Sequence, residues 1–101
     1  MTNGQRGLDI IPREENNQTI IELGLTRKNI EKEILELTAQ DYCSGPEEDH
    51  TRPGVIWKFG KNIMQREIYI KLKIAEIGSE KIAKCISFHK ANHRINYPLK
   101  N

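Results

Sequence analysis

The last extended segments of this chain alternate apolar and polar residues with a period of two, and that pattern constrains the fold more than any other feature. Across Glu67–Lys73 (EIYIKLK) and Ile74, the residues Ile68, Ile70, Leu72 and Ile74 alternate with Tyr69, Lys71 and Lys73. In Lys84–His89 (KCISFH), Ile86 and Phe88 alternate with Cys85, Ser87 and His89, and in Ile56–Gly60 (IWKFG) Trp57 and Phe59 flank Lys58. Successive side chains of a strand point to opposite faces of its sheet, so each segment predicts one face on a core and one turned outward. The outward face is expected to collect Lys58, Tyr69, Lys71 and His89. Two cations, a phenol and an imidazole suit an anionic ligand better than they suit packing. The plainer reading is β propensity for the tyrosine and solubility for the lysines.

The remaining pattern predicts an α+β domain. At 101 residues the chain has room for one core. Residues 1–16 are polar and hold Gly4, Gly7 and Pro12, which predicts a flexible arm ahead of a single domain over residues 17–101. Asn17 is the expected cap of a short helix over Gln18–Leu23 that stops at Gly24. Thr26 is the expected cap of a second helix over Arg27–Leu37, whose apolar stripe is Ile30, Ile34 and Leu37, with Leu35 at its edge. Asn29 stands where a capping box needs Glu or Gln, so no full box is expected. Thr38 opens one further turn, and residues 43–54 (CSGPEEDHTRPG) read as the longest loop. Strands are expected over Val55–Lys61, Glu67–Ile77 and Lys81–Lys90, with a hairpin turn at Gly78-Ser79 and a tail that can add a short edge segment. Helices first and antiparallel strands afterwards put the helices on one sheet face.

Charge is partitioned along the chain. Residues 1–57 carry six Lys/Arg against eleven Asp/Glu, a net of −5, while residues 58–101 carry ten against three, a net of +7. A basic half fits a polyanion partner. Alternatively, the acidic helices neutralise the basic sheet across their contact. No apolar run reaches the length of a membrane span, and the N-terminus has no stretch suited to a secretory signal, so a cytoplasmic protein is expected. Cys43 and Cys85, 42 positions apart with no CxxC, read as free thiols.

Cleaving RNA without a metal needs a base for the 2′-hydroxyl, a cation for the phosphorane charge and an acid for the leaving 5′-oxygen. Tyr69, Lys71 or Lys58, and His89 can fill those roles, and imidazole is the natural proton-transfer group near neutrality. Metal binding has weaker support. The HKANH spacing of His89 and His93 begins at a strand end and lacks the glutamate of HExxH, and nothing brings Asp49-His50 to it. A Cys85–His89 thiol pair would be separated by about 13 Å along a strand. Trp57 and Phe59 read as a core pair rather than a base-stacking platform. Tyr42 and Tyr97, each near a turn, are candidates for stacking on an unpaired base.

In order along the chain stand Leu37-Thr38, Asp41-Tyr42, Gly45-Pro46, Asp49, Gly54, Trp57-Lys58-Phe59-Gly60, Tyr69-Ile70-Lys71-Leu72 and Ser87-Phe88-His89. This series resembles the motility quorum-sensing regulator (MqsR) toxins over about residues 19–99. The resemblance implies a RelE-like α+β fold and an mRNA interferase of a bacterial type II toxin–antitoxin system, a metal-independent endoribonuclease with no cofactor. It places Tyr69, Lys71, Lys58 and His89 at catalytic positions. Lys58 stands where the best-known member has Gln, His89 where it has Lys, and Cys43 where it has a further Lys. The implied partners are mRNA and a neutralising antitoxin, often a zinc-binding protein with a helix-turn-helix part. Tyr42, Lys61, Arg66, Lys73 and Lys90 are the expected RNA contacts of the basic half. A non-catalytic module that holds RNA or an acidic protein on the same face is the competing expectation.

Overall fold

A computed structural model describes residues 8–100 of the chain. Strands β1 (Leu8–Ile10), β2 (Tyr42–Glu48), β3 (Val55–Ile63), β4 (Arg66–Ile77) and β5 (Glu80–Lys90) form one sheet in the order β1-β5-β4-β3-β2. Helices α1 (Glu14–Leu23) and α2 (Arg27–Leu35) fall between β1 and β2, so the α+β expectation is met. All neighbouring pairs are antiparallel except β1 with β5, which makes the sheet mixed.

Alternation in β4 is realised as read. Ile68 and Ile70 are fully buried and Leu72 nearly so, and with Ile30, Ile63, Cys85 and Phe88 they make the core. Ile20, Leu23, Leu25, Ile34 and Leu37 pack against that cluster, so both helices lie on the same side of the sheet. Burying a side chain of this size stabilises by about 1.5–3 kcal/mol, and β4 supplies more of the core than any other element. Tyr69 and Lys71 consequently point away from the helices.

In β5 the phase slips. Lys71 pairs with Ser87 but Leu72 pairs with Cys85, leaving Ile86 as the extra residue of a bulge. One added residue moves everything before it to the other face. Cys85, expected outward, therefore lies fully buried in the core, whereas Ser87 and His89 keep the outward side.

Several boundaries differ from the sequence reading. Leu8–Ile10 is a sheet strand and α1 begins at Glu14, so the domain starts well before residue 17; only residues 1–7 of the expected arm lie outside the described residues. Arg13, not Asn17, holds the N-cap position of α1 and makes no side-chain cap. Thr26 and Asn29 form a reciprocal cap, because the Asn29 carboxamide accepts from the Thr26 amide at 2.9 Å and the Thr26 hydroxyl accepts from the Asn29 amide at 3.1 Å. The expected loop 43–54 is half strand, since β2 runs alongside β3 through Glu48. The tail adds no strand among the described residues.

Asn16 explains why α1 begins where it does. Its fully buried carboxamide donates to the carbonyls of Ile11 (2.9 Å) and Ile86 (3.0 Å) and accepts from the Phe88 amide (2.9 Å). Thr19, one turn on, accepts from the Lys90 amide at 3.2 Å. β1 covers the outer edge of β5 only to Cys85, and α1 side chains satisfy it from there. Asn16→Ala should cost about 3 kcal/mol, because the buried Phe88 amide and the part-buried carbonyls of Ile11 and Ile86 lose their partner. Urea unfolding would measure this, with Asn17→Ala changing stability by less than about 0.5 kcal/mol.

Candidate functional site

Opposite the helices, the sheet forms the floor of a cleft of about 560 Å³. Cross-strand register builds that floor: Tyr69 pairs with His89, and Lys71 with Ser87. Cys43 and Arg13 line it from two sides, and Asn92, His93 and Arg94 of the tail form the far wall. The tail is held over the sheet by Ile95 and Tyr97, which lie where a Cβ on Gly60 would be, within 2.7 and 2.5 Å. The Tyr97 hydroxyl donates to Glu67 at 2.7 Å; burial and that bond raise its pKa.

His89 is 9% exposed, and its ring lies 5.6 Å from that of Tyr69, tilted by 52°. Its Nδ1 is 3.0 Å from the Lys90 carbonyl. A carbonyl only accepts, so Nδ1 carries the proton and Nε2 is left to exchange one. Tyr69 is half-buried, and its hydroxyl has no protein hydrogen-bond partner among the described residues. Burial raises the Tyr69 pKa, against an opposing pull from Lys58, so at neutral pH the phenol is a donor rather than a base. Lys71 lines the cleft and makes no ion pair among the described residues.

Tyr69, Lys71 and His89 are thus brought together. Lys58 shares their face, opposite Lys71, but is ion-paired with Glu47 at 3.3 Å. The five expected RNA contacts do not converge there. Lys61 turns to the helix side, where it meets Glu33 at 2.8 Å, and Lys90 reaches Glu22 of α1 at 2.9 Å. Tyr42 also belongs to the helix side. It lies edge-on to Trp57 and Phe59, with ring centroids 6.3 and 6.4 Å apart, and its hydroxyl donates to the Gly45 carbonyl. Arg66 is exposed at the start of β4. Lys73 has the outward phase but is nearly buried, with Nζ 2.6 Å from Asp49. These positions favour the alternative of neutralisation, since Lys58, Lys61, Lys73 and Lys90 all pair with acids of the first half of the chain.

The sequence reading missed Arg13 and the tail wall. Arg13 lies within the arm expected over residues 1–16, and no periodicity links it to the sheet. The parallel pairing of β1 with β5, continued by the Asn16 contacts, carries it there. Among the described residues, no three His, Cys, Asp or Glu side chains converge as a metal would need, and no helix is long and apolar enough to cross a membrane. In comparisons with family models, with curated proteins and with solved structures, the chain matches none.

Two outcomes follow from these contacts. Asp49 is held well below the usual carboxylate range, first by the hydrogen bond from Lys73 and then by those from Thr51. Stability from this pair is complete above the ordinary aspartate pKa of about 4 and is lost as pH falls toward the depressed native value. Lys73→Met should flatten that acid limb, as followed by urea midpoints against pH. Gly60→Val should displace Ile95 and Tyr97 and return the Tyr97 phenol toward its ordinary pKa of about 10. Phenolate absorbance on alkaline titration reads that change.

Proposed function

We propose that the cleft cleaves single-stranded RNA without a metal, as an mRNA interferase of RelE-like fold and MqsR type. The observation that carries this reading is the grouping of His89, whose Nδ1 is committed to a carbonyl, with the protonated phenol of Tyr69 and with Lys71, which makes no ion pair among the described residues. A cleft of about 560 Å³ suits a nucleotide. The resemblance of residues 19–99 to the toxin family supplies the substrate class.

In this mechanism the 2′-oxygen attacks the adjacent phosphorus, the bond from phosphorus to the 5′-oxygen breaks, and a 2′,3′-cyclic phosphate and a 5′-hydroxyl result. Tyr69 donates a hydrogen bond that orients the 2′-oxygen or holds the phosphate. Lys71 stabilises the phosphorane charge. His89, protonated at both nitrogens, gives the Nε2 proton to the leaving 5′-oxygen. The 2′-hydroxyl proton leaves to water through the open cleft, and solvent recharges His89, so the proton count balances. A neutralising antitoxin is the expected partner in the bacterial cytoplasm, and any zinc belongs to that partner.

An RNase assay in EDTA tests the proposal. Wild-type protein should cleave, His89→Ala should lose about 10²–10⁴-fold in rate, and Tyr69→Phe should also be impaired. Undiminished cleavage by both variants would sink the site. Salt-dependent RNA binding with no turnover would instead make the chain a binding module.

A further inference from the structure

We propose that Arg13, Ser87 and Lys71 form an anion subsite that holds the non-bridging oxygens of a phosphodiester, with Arg13 as its second cation in place of Lys58. That the anion belongs to RNA rests on the ribonuclease reading above; the subsite itself does not.

Arg13 ends the connection from β1 to α1 with an extended backbone, φ −84° and ψ 152°. From there its guanidinium crosses 74 positions of sequence to donate from Nη1 to the Ser87 hydroxyl at 3.3 Å. Ser87 is 2% exposed and stands opposite Lys71 on the cleft floor. Its oxygen accepts from Arg13, and its own proton has no acceptor among the described residues. A hydroxyl polarised in this way is a donor awaiting an oxygen.

Availability separates Arg13 from Lys58 and Lys73, the paired cations of this face. Lys58 is tied to Glu47 and Lys73 to Asp49. Among the described acids Arg13 meets Glu15, at 3.3 Å, and both side chains are about half exposed (45% and 52%). Such a pair contributes about 0–1 kcal/mol, so an incoming phosphate can displace Glu15. The guanidinium has five donors, and these two contacts leave several free for a forked bond to phosphate. Arg13 and Tyr69 line the same cleft, so cation and phenol face one volume. Lys71 completes the set from below.

The plain alternative is that Arg13 only anchors the start of α1. Anchoring predicts a change in stability; the subsite predicts a change in binding. The experiment is an NMR titration of the ¹⁵N-labelled full chain with inorganic phosphate, and separately with a 2′-O-methyl oligonucleotide that cannot be cleaved. Wild type should bind both, with shifts centred on Arg13, Lys71 and Ser87. Arg13→Gln should weaken both by about ten-fold or more, because a charge-assisted forked contact is lost, with only partial rescue by Arg13→Lys. Ser87→Ala should weaken binding less, because one donor is lost and both cations remain. Failure of wild type to bind phosphate would overturn the subsite, as would equal binding by Arg13→Gln with an unchanged urea midpoint. If Arg13→Gln does not fold, Ser87→Ala decides, and equal binding by that variant overturns the subsite. Phosphate binding that depends on Arg13, in a protein that does not cleave RNA, would retain the subsite and remove the ribonuclease reading.

Discussion

The contact on which the rest depends is the buried carboxamide of Asn16 against the outer edge of β5. A strand edge is a row of backbone groups that must find partners. β1 covers that edge only as far as Cys85, and the bulge at Ile86 interrupts any regular continuation. Asn16 meets the interruption with two donors and one acceptor, all used. It thereby ties the start of α1 to the half of β5 that carries Ser87 and His89. It also draws in Arg13, three residues earlier, whose side chain then reaches the cleft floor.

Charge is the second organising constraint. Several cations of the basic C-terminal half are drawn into pairs with the acidic half. Lys61 and Lys90 are bound to acids of the helices, and Lys58 and Lys73 to acids of β2 and the loop after it. These pairs are local neutralisation across packed elements. The cations left to the cleft are Lys71 and Arg13, with Arg94 on the tail wall. A small, focused positive site differs from a long track for a nucleic-acid backbone: it suits one phosphate held beside proton-transfer groups.

Much of the fold was legible in the chain. Period-two alternation placed β3, β4 and β5 within a few residues and put Tyr69, Lys71 and His89 on one face, because the pleat has the same period. Two short segments escaped it. Leu8–Ile10 is only three residues long, too short to show alternation, and β2 contains Gly45 and Pro46, which read as breakers. The reciprocal cap of α2 is hidden from the sequence pattern because Asn is shorter than the usual Glu or Gln, yet its carboxamide still reaches.

By itself, then, the sequence determined the antiparallel strands and the face holding a phenol, a lysine and an imidazole, since both follow from local periodicity. Tertiary structure decided which charges remain available there, because ion pairing depends on residues far apart in the chain. It also buried Cys85, through one extra residue in β5, and placed Arg13 beside Ser87, through a parallel pairing that no local pattern encodes. The tail wall has the same origin: Gly60 leaves room above the sheet, and Ile95 and Tyr97 fill it.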